Sequence, residues 1–169
     1  MQNSNYNHLT IEKKIYNYWE KNNFFKPKRN KKKYFSVVIP PPNITGSLHM
    51  GHALNNSLQD VLIRFYRMNG YETLWQPGTD HAGIATQAIV EKELSGKGIT
   101  KNLLGRKKFI EAVWKWKKES GDQILNQLKK LGCSCDWSRN RFTMDKDLSK
   151  AVIKVFVKLY QQKLIYKDT

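Results

Sequence analysis

Three consecutive prolines, Pro40-Pro41-Pro42, cut off an apolar run, and a helix-patterned segment carrying His49 and His52 begins a few residues later. Proline offers no N–H to a sheet ladder, so the run at 34–39 has to end there. Only Ser36 interrupts it, the pattern of a strand buried on both faces. Leu54, Leu58, Val61, Leu62 and Phe65 then recur at helical spacing over 48–68, and Asn69-Gly70 supplies a stop. A second strand is expected over 71–76, then a loop Pro77-Gly78-Thr79-Asp80-His81-Ala82-Gly83, then a helix over 84–94. Strand, loop and helix, twice in succession, form the parallel unit of the doubly wound α/β class. Both loops leave the carboxyl ends of their strands, where such sheets bind ligands.

The flanks read as helices. An N-terminal helix is expected over 10–22, capped by Thr10, with Ile11, Ile15, Tyr18 and Trp19 on one face. It leads into Lys26-Pro27-Lys28-Arg29-Asn30-Lys31-Lys32-Lys33, six basic residues in eight and an exposed linker. Farther on, Phe109, Ile110, Val113, Ile124, Leu125, Leu128 and Leu131 fall at helical spacing, with a break expected near Gly121. Trp114 and Trp116 cannot share a helix face, so one of them is expected to be exposed. Asp145 is placed as the cap of a last helix with Leu148, Val152, Val155 and Leu159 on its buried face. Leu164-Ile165-Tyr166 is expected to begin another strand.

The net charge of +16 points to a polyanionic partner such as RNA, or to the Asn- and Lys-rich usage of an AT-rich genome. Its distribution helps to decide. Residues 34–96 carry three basic and five acidic side chains, whereas 1–33 carry nine against two and 97–130 ten against three. The basic excess thus flanks the proline–histidine region and is absent from it. No apolar run approaches the ~18 residues a membrane span needs, and residues 1–10 lack a signal-peptide core, so a cytoplasmic protein is expected. Cys133 and Cys135 sit too close in sequence for a disulfide framework. Together with His49 and His52 they make a two-His, two-Cys set, but Cys-x-Cys is narrower than structural zinc spacing, and no structural metal is expected.

His49 and His52, at i and i+3, share one face of the first helical turn, where the positive end of the helix dipole favours phosphate. Ring N–H groups can donate to phosphate oxygens, more strongly as charge builds in a transition state. Gly51 leaves no side chain between them. Gly46 and Ser47 let the loop turn and offer amide donors or a cap. Asp80, at the end of the second strand, suits an ammonium group alongside an exposed carbonyl of the proline run; it serves equally as a turn-former beside His81.

The run Pro40-Pro41-Pro42-Asn43-Ile44-Thr45-Gly46-Ser47-Leu48-His49-Met50-Gly51-His52 resembles the HIGH-motif segment of the class I aminoacyl-tRNA synthetases, with Met50 in place of the isoleucine. Within that class it is most similar to the valyl type. Gly78-Thr79-Asp80-His81-Ala82-Gly83-Ile84-Ala85-Thr86-Gln87, Leu131-Gly132-Cys133-Ser134-Cys135-Asp136-Trp137-Ser138-Arg139 and Arg141-Phe142-Thr143-Met144-Asp145 share the likeness. The fold implied is the first half of a Rossmann-like doubly wound sheet plus helical segments. Residues 1–33 would be an N-terminal helix and basic linker, and 34–169 the first part of the nucleotide-binding domain, ending near an editing insertion.

The resemblance further implies that His49 and His52 bind ATP phosphates and stabilise the pentacoordinate α-phosphate. Thr45 and Gly46 would add phosphate contacts, and Gly51 would pack on the nucleoside. Pro41, Pro42, Asn43 and Asp80 would line the valine site, with Asp80 on the α-ammonium. ATP with Mg2+, valine and tRNA(Val) are the implied partners. An apolar valine pocket rejects threonine only modestly, a limit for which valyl enzymes are a standard illustration, so editing is implied as well. No KMSKS-type sequence is present, and its lysine is expected from a missing C-terminal part of the same polypeptide. Residues 1–169 alone are therefore expected not to catalyse ATP–pyrophosphate exchange at a useful rate. Two alternatives stay open on the residues: another HxGH nucleotidyltransferase, or a non-catalytic basic RNA-binding remnant.

Overall fold

Tyr34–Val38 (β1) pairs in parallel with Glu72–Gln76 (β2), and Met50–Met68 (α2) crosses between them in a computed structural model that describes residues 6–28 and 33–168. The register runs from Tyr34 opposite Glu72 to Val38 opposite Gln76, and Ile39 N–H extends the ladder to Gln76 O at 2.9 Å. Directly after β2, Gly78–Thr79 (β3) pairs in parallel with Arg141–Phe142 (β4), and Asn43 bridges Asp80. Three stretches of chain, 34–43, 72–80 and 136–143, therefore lie side by side with 72–80 in the middle. The parallel α/β arrangement expected from the sequence is present.

The burial of the strands departs from expectation. β2 is the inner strand, with Glu72, Thr73 and Trp75 buried. β1 is not buried on both faces: Phe35 and Val37 turn partly inward, whereas Tyr34 and Val38 are 67% and 70% exposed. Among the described strands β1 has only β2 as a neighbour, so its other edge carries no strand among the described residues. The core gathers Ile39, Ile44, Ile63, Trp75, Ile124, Leu128, Cys133, Cys135 and Phe142. Each large side chain withdrawn there contributes about 1.5–3 kcal/mol.

The helix α2 turns an unexpected side to that core. Its apolar stripe, Leu54, Leu58, Val61, Leu62 and Phe65, is exposed. The inward side carries Asn56, Ile63 and a set of polar groups satisfied by hydrogen bonds. Gln59 Oε1 accepts from Trp75 Nε1 at 2.9 Å. Asp60 accepts from Arg64 Nε at 2.6 Å and from both Ser134 N and Ser134 Oγ, at 2.9 and 2.6 Å. Arg67 donates to Thr73 Oγ1 and Ser134. These bonds fasten α2 to β2 and to the Gly132–Asp136 turn, and buried polar groups are tolerated when so paired.

Other elements follow. His8–Lys21 (α1) is capped by Asn7, whose side chain accepts from Leu9 N, and not by Thr10, whose hydroxyl donates back to Asn7 O. Its buried residue is Tyr16, while Ile15 and Tyr18 are exposed. Ile84–Ser95 (α3) packs on Lys101–Lys130 (α4). The break in α4 falls at Gly105 (φ +75°, ψ 158°), a conformation essentially reserved for glycine, and not near Gly121. Gly121 stays helical and buried with Ser120, Ile124 and Leu128, since glycine inside a helix costs only about 1 kcal/mol. Trp114 is the exposed tryptophan of its pair, and Trp116 donates to Ile44 O at 2.6 Å.

Lys146–Gln161 (α5) starts at Asp145 as expected, but Asp145 Oδ2 accepts from Phe142 N–H instead of capping the helix. No residue of α5 is buried, Val152 and Val155 included, because no described element packs along its apolar face. Leu164-Ile165-Tyr166 forms no strand, having no partner to pair with among the described residues. Of the basic run, Arg29, Asn30, Lys31 and Lys32 lie outside the described residues, as do 1–5 and Thr169. No described helix is long and apolar enough to cross a membrane.

α1 is held by one side chain above all. Tyr16 OH donates to Cys133 O at 2.6 Å and accepts from Trp137 Nε1 at 2.7 Å. Burial pushes this phenol far above the ordinary tyrosine range, so it keeps its proton. Tyr16→Phe removes the hydroxyl and strands a buried carbonyl and an indole N–H. We expect it to lower stability by about 1–3 kcal/mol, read as a shifted denaturation midpoint with an unchanged slope.

Candidate active site

The helix α2 begins with its own histidines. His49 is the N-cap, in extended backbone (φ −119°, ψ 176°), and its Nδ1 accepts from Gly51 N–H at 3.1 Å. His52 Nδ1 accepts in turn from His49 N–H at 3.3 Å. An imidazole lone pair thus does what a serine or aspartate oxygen does in an ordinary capping box, and Ser47 is not the cap. The rings lie 4.0 Å apart between centroids at 53°.

The arrangement fixes the tautomers. A neutral imidazole that accepts at Nδ1 carries its proton on Nε2, so both histidines present Nε2–H as donors. Gly51 has a steric reason here: a Cβ at this position would stand 3.0 Å from His49 Cε1 and 3.1 Å from Nδ1. Any larger residue would require the His49 ring to give way by a few tenths of an ångström. Thr45 and Gly46 lie half-buried in the loop leading to the helix.

Burial, and then the neighbouring His49, hold His52 below the ordinary histidine value of 6.5. Between that lowered value and 6.5 the unfolded chain binds more protons than the folded one, so folding stability rises with pH across this window and is lost as pH falls through it. A proton on His52 Nδ1 would also end its acceptance from His49 N–H. We expect amide exchange at 50–53 to accelerate on acidification below pH 6.5. Hydrogen-exchange mass spectrometry across a pH series, corrected for intrinsic exchange, checks this.

Asp80 sits where the stretches meet. Its N–H donates to Pro42 O at 2.8 Å, and its carbonyl accepts from Ile44 N at 3.0 Å. The pairing places Asp80 beside Pro42 and Asn43, and Pro41 Cβ lies 3.8 Å from where a Gly78 Cβ would be. Pro41, Pro42, Asn43 and Asp80 thus form one patch, with Pro42 buried and Pro41 and Asn43 exposed. The Pro42 carbonyl already accepts one backbone bond. On its side-chain face Asp80 Oδ1 accepts from Thr143 Oγ1 at 2.8 Å and lies 3.2 Å from His81 Nδ1.

Of these partners, His81 was expected as a turn neighbour of Asp80, and Thr143 is one that sequence reasoning did not single out. Arg141-Phe142-Thr143 stood out as a block, but a pairing of two residues per strand leaves no periodicity to read. Two cavities, of about 320 Å³ beside Cys135–Ser138 and about 380 Å³ on the β1–β2 face, are lined by none of these site residues. Cys133 and Cys135 are unlinked and buried in the core. Burial pushes the Cys133 thiol up to about 12, and Cys135 higher still, so both stay protonated packing groups. Among the described residues no three His, Cys, Asp or Glu side chains gather as a metal site.

Comparison with known proteins gives the family. The sequence pattern of the family "tRNA synthetases class I (I, L, M and V)" matches residues 14–169. A valine–tRNA ligase of Pelagibacter ubique (strain HTCC1062) is 73% identical over 168 residues, covering 99% of this chain and 19% of that protein. One of Geobacter sulfurreducens is 61% identical over 165 residues, 96% of this chain and 18% of the relative. The chain therefore spans about a fifth of the length of the curated relatives it matches. In fold it is similar to the leucyl enzyme in a crystal structure of the ternary complex of Agrobacterium radiobacter K84 agnB2 LeuRS, tRNA and LeuAMS. The TM-score is 0.79 at 24% identity, over 97% of this chain and 19% of that one. Parallel strands, a histidine-capped helix and a family match over nearly the whole length lead to one conclusion: the chain belongs to the class I tRNA synthetases.

Proposed function

We propose that this chain is the ATP- and valine-binding front of a longer valine–tRNA ligase. The reading is carried by the 73% identity to a valine–tRNA ligase over 99% of this chain. In the proposed reaction a carboxylate oxygen of valine attacks the α-phosphorus of ATP, and pyrophosphate leaves. A hydroxyl of the tRNA(Val) 3′-terminal ribose then attacks the carbonyl of the adenylate, and AMP leaves. Magnesium travels with ATP as its counter-ion.

His49 and His52 donate from Nε2–H to phosphate oxygens, and their bonds strengthen as charge grows on the pentacoordinate α-phosphate. The first turn of α2 adds the positive end of its dipole. Thr45 and Gly46 contact the phosphates from the loop, and Gly51 lets the nucleoside approach the backbone. Pro41, Pro42, Asn43 and Asp80 line the valine site, and Asp80 accepts from the ammonium. The Lys-rich segments that flank this region face the tRNA. Cytoplasmic action and editing by a downstream segment belong to the same reading.

The full-length polypeptide is expected to exchange pyrophosphate into ATP when valine is present, and far less with leucine. Leucine-dependent exchange would place the chain with another branch of the class. Absence of exchange, with salt-sensitive tRNA binding that survives replacement of both histidines, would leave an RNA-binding protein.

A further inference from the structure

Asp80 is not held by its backbone alone. The Thr143 hydroxyl donates to its Oδ1 at 2.8 Å and accepts from His81 N–H at 2.9 Å. His81 Nδ1 approaches the same hydroxyl at 2.6 Å. A carboxylate can only accept, so the hydroxyl proton goes to Asp80, and the ring must bring its own. His81 is thereby the Nδ1–H tautomer, opposite to His49 and His52, and the same N–H lies 3.2 Å from Asp80 Oδ1. Thr86 Oγ1 fixes the His81 carbonyl at 2.7 Å from the first turn of α3.

Thr143 comes from 63 residues downstream. It arrives by the β3–β4 pairing, which its own N–H extends to Thr79 O at 3.2 Å. Thr143 Oγ1 donates to Oδ1, His81 Nδ1 stands 3.2 Å from the same oxygen, and among the described residues none reaches Oδ2. The side chains of His81 and Asp80 remain 43% and 35% exposed, so a ligand can reach them.

We propose that Thr143 is a positioning residue of the amino-acid site: held by His81 and donating to Oδ1, it orients the Asp80 carboxylate so that Oδ2 meets the substrate ammonium. This rests on the reading of Asp80 as the ammonium partner. Thr143 touches no substrate and acts through Asp80.

The test uses the full-length enzyme with Thr143→Val, Thr143→Ser and Asp80→Asn, assayed by valine-dependent ATP–pyrophosphate exchange. Thr143→Val keeps the shape and loses the hydroxyl, and it should raise KM for valine roughly ten- to a hundredfold. KM for ATP and kcat at saturating valine should stay within about twofold, and Thr143→Ser should restore the valine KM. Inhibition by valinol, which keeps the ammonium, should weaken in parallel; inhibition by 3-methylbutanoate, which lacks it, should not. Thr143→Ala carries the same expectations if Thr143→Val fails to accumulate.

An unmoved valine KM in Thr143→Val overturns the proposal. So does a joint rise for valine and ATP that serine does not restore, since that describes a general loss of structure. Asp80→Asn separates the two levels. If it leaves the valine KM unchanged, the reading of Asp80 itself fails; if it raises that KM while Thr143→Val does not, only the role of Thr143 fails.

Discussion

Replacing His49 by alanine in the full-length polypeptide is expected to lower kcat for valine-dependent ATP–pyrophosphate exchange roughly 100- to 1000-fold. That is the usual size of the effect when one preorganised donor to a transition-state oxyanion is lost. Two causes combine here. The Nε2–H donor disappears, and so does the Nδ1 acceptor that holds Gly51 N–H at the start of α2. Loss of such a cap costs about 1 kcal/mol of helix stability. His49→Asn tells the two apart: asparagine is a good N-cap, but its short amide cannot reproduce both edges of the imidazole. We expect His49→Asn to unfold at nearly the parental midpoint and still lose most of the rate. If it exchanges pyrophosphate at the parental rate, the histidine serves the helix and not the phosphate.

The second large effect is expected at Asp80. Asp80→Ala removes the carboxylate from the patch formed with Pro41, Pro42 and Asn43, and the valine ammonium would face the apolar remainder unpaired. A hydrogen bond to a charged group is worth about 1.5–3 kcal/mol, so KM for valine should rise at least roughly tenfold and as much as a hundredfold or more. KM for ATP should change little, because the backbone bonds of residue 80 to Pro42 and Ile44 do not need the side chain. Steady-state kinetics with each substrate varied in turn checks the split. Equal rises for both substrates would assign Asp80 to the loop and not to the amino acid.

The local features of this site were legible because they are local. The proline run, the His-x-Gly-His spacing and the turn at Asn69-Gly70 each act within a few residues, and the parallel unit follows from their order. Burial was legible only in part. Periodicity along α2 reveals an apolar stripe without saying which element covers it. Here the covered side is instead the one with Gln59, Asp60 and Arg67, which the neighbouring segments satisfy. The same gap explains Tyr34 and Val38 of β1 and the apolar face of α5, which remain outside. The cap of α2 was missed because histidine is not among the residues ordinarily expected to accept there. Thr143 was missed because its role depends on a pairing across 63 residues that two-residue strands do not announce.

The bond between Tyr16 and Cys133 joins residues 117 positions apart. During synthesis at about 5–20 residues per second, α1 leaves the ribosome roughly 6–23 s before its partner exists. Over that interval it is a 14-residue helix on its own, a length at which an isolated helix is marginal in water. α1 is thus made well before the turn it docks against. Until the 133–137 turn emerges, the Tyr16 hydroxyl lacks both of the partners it has in the fold.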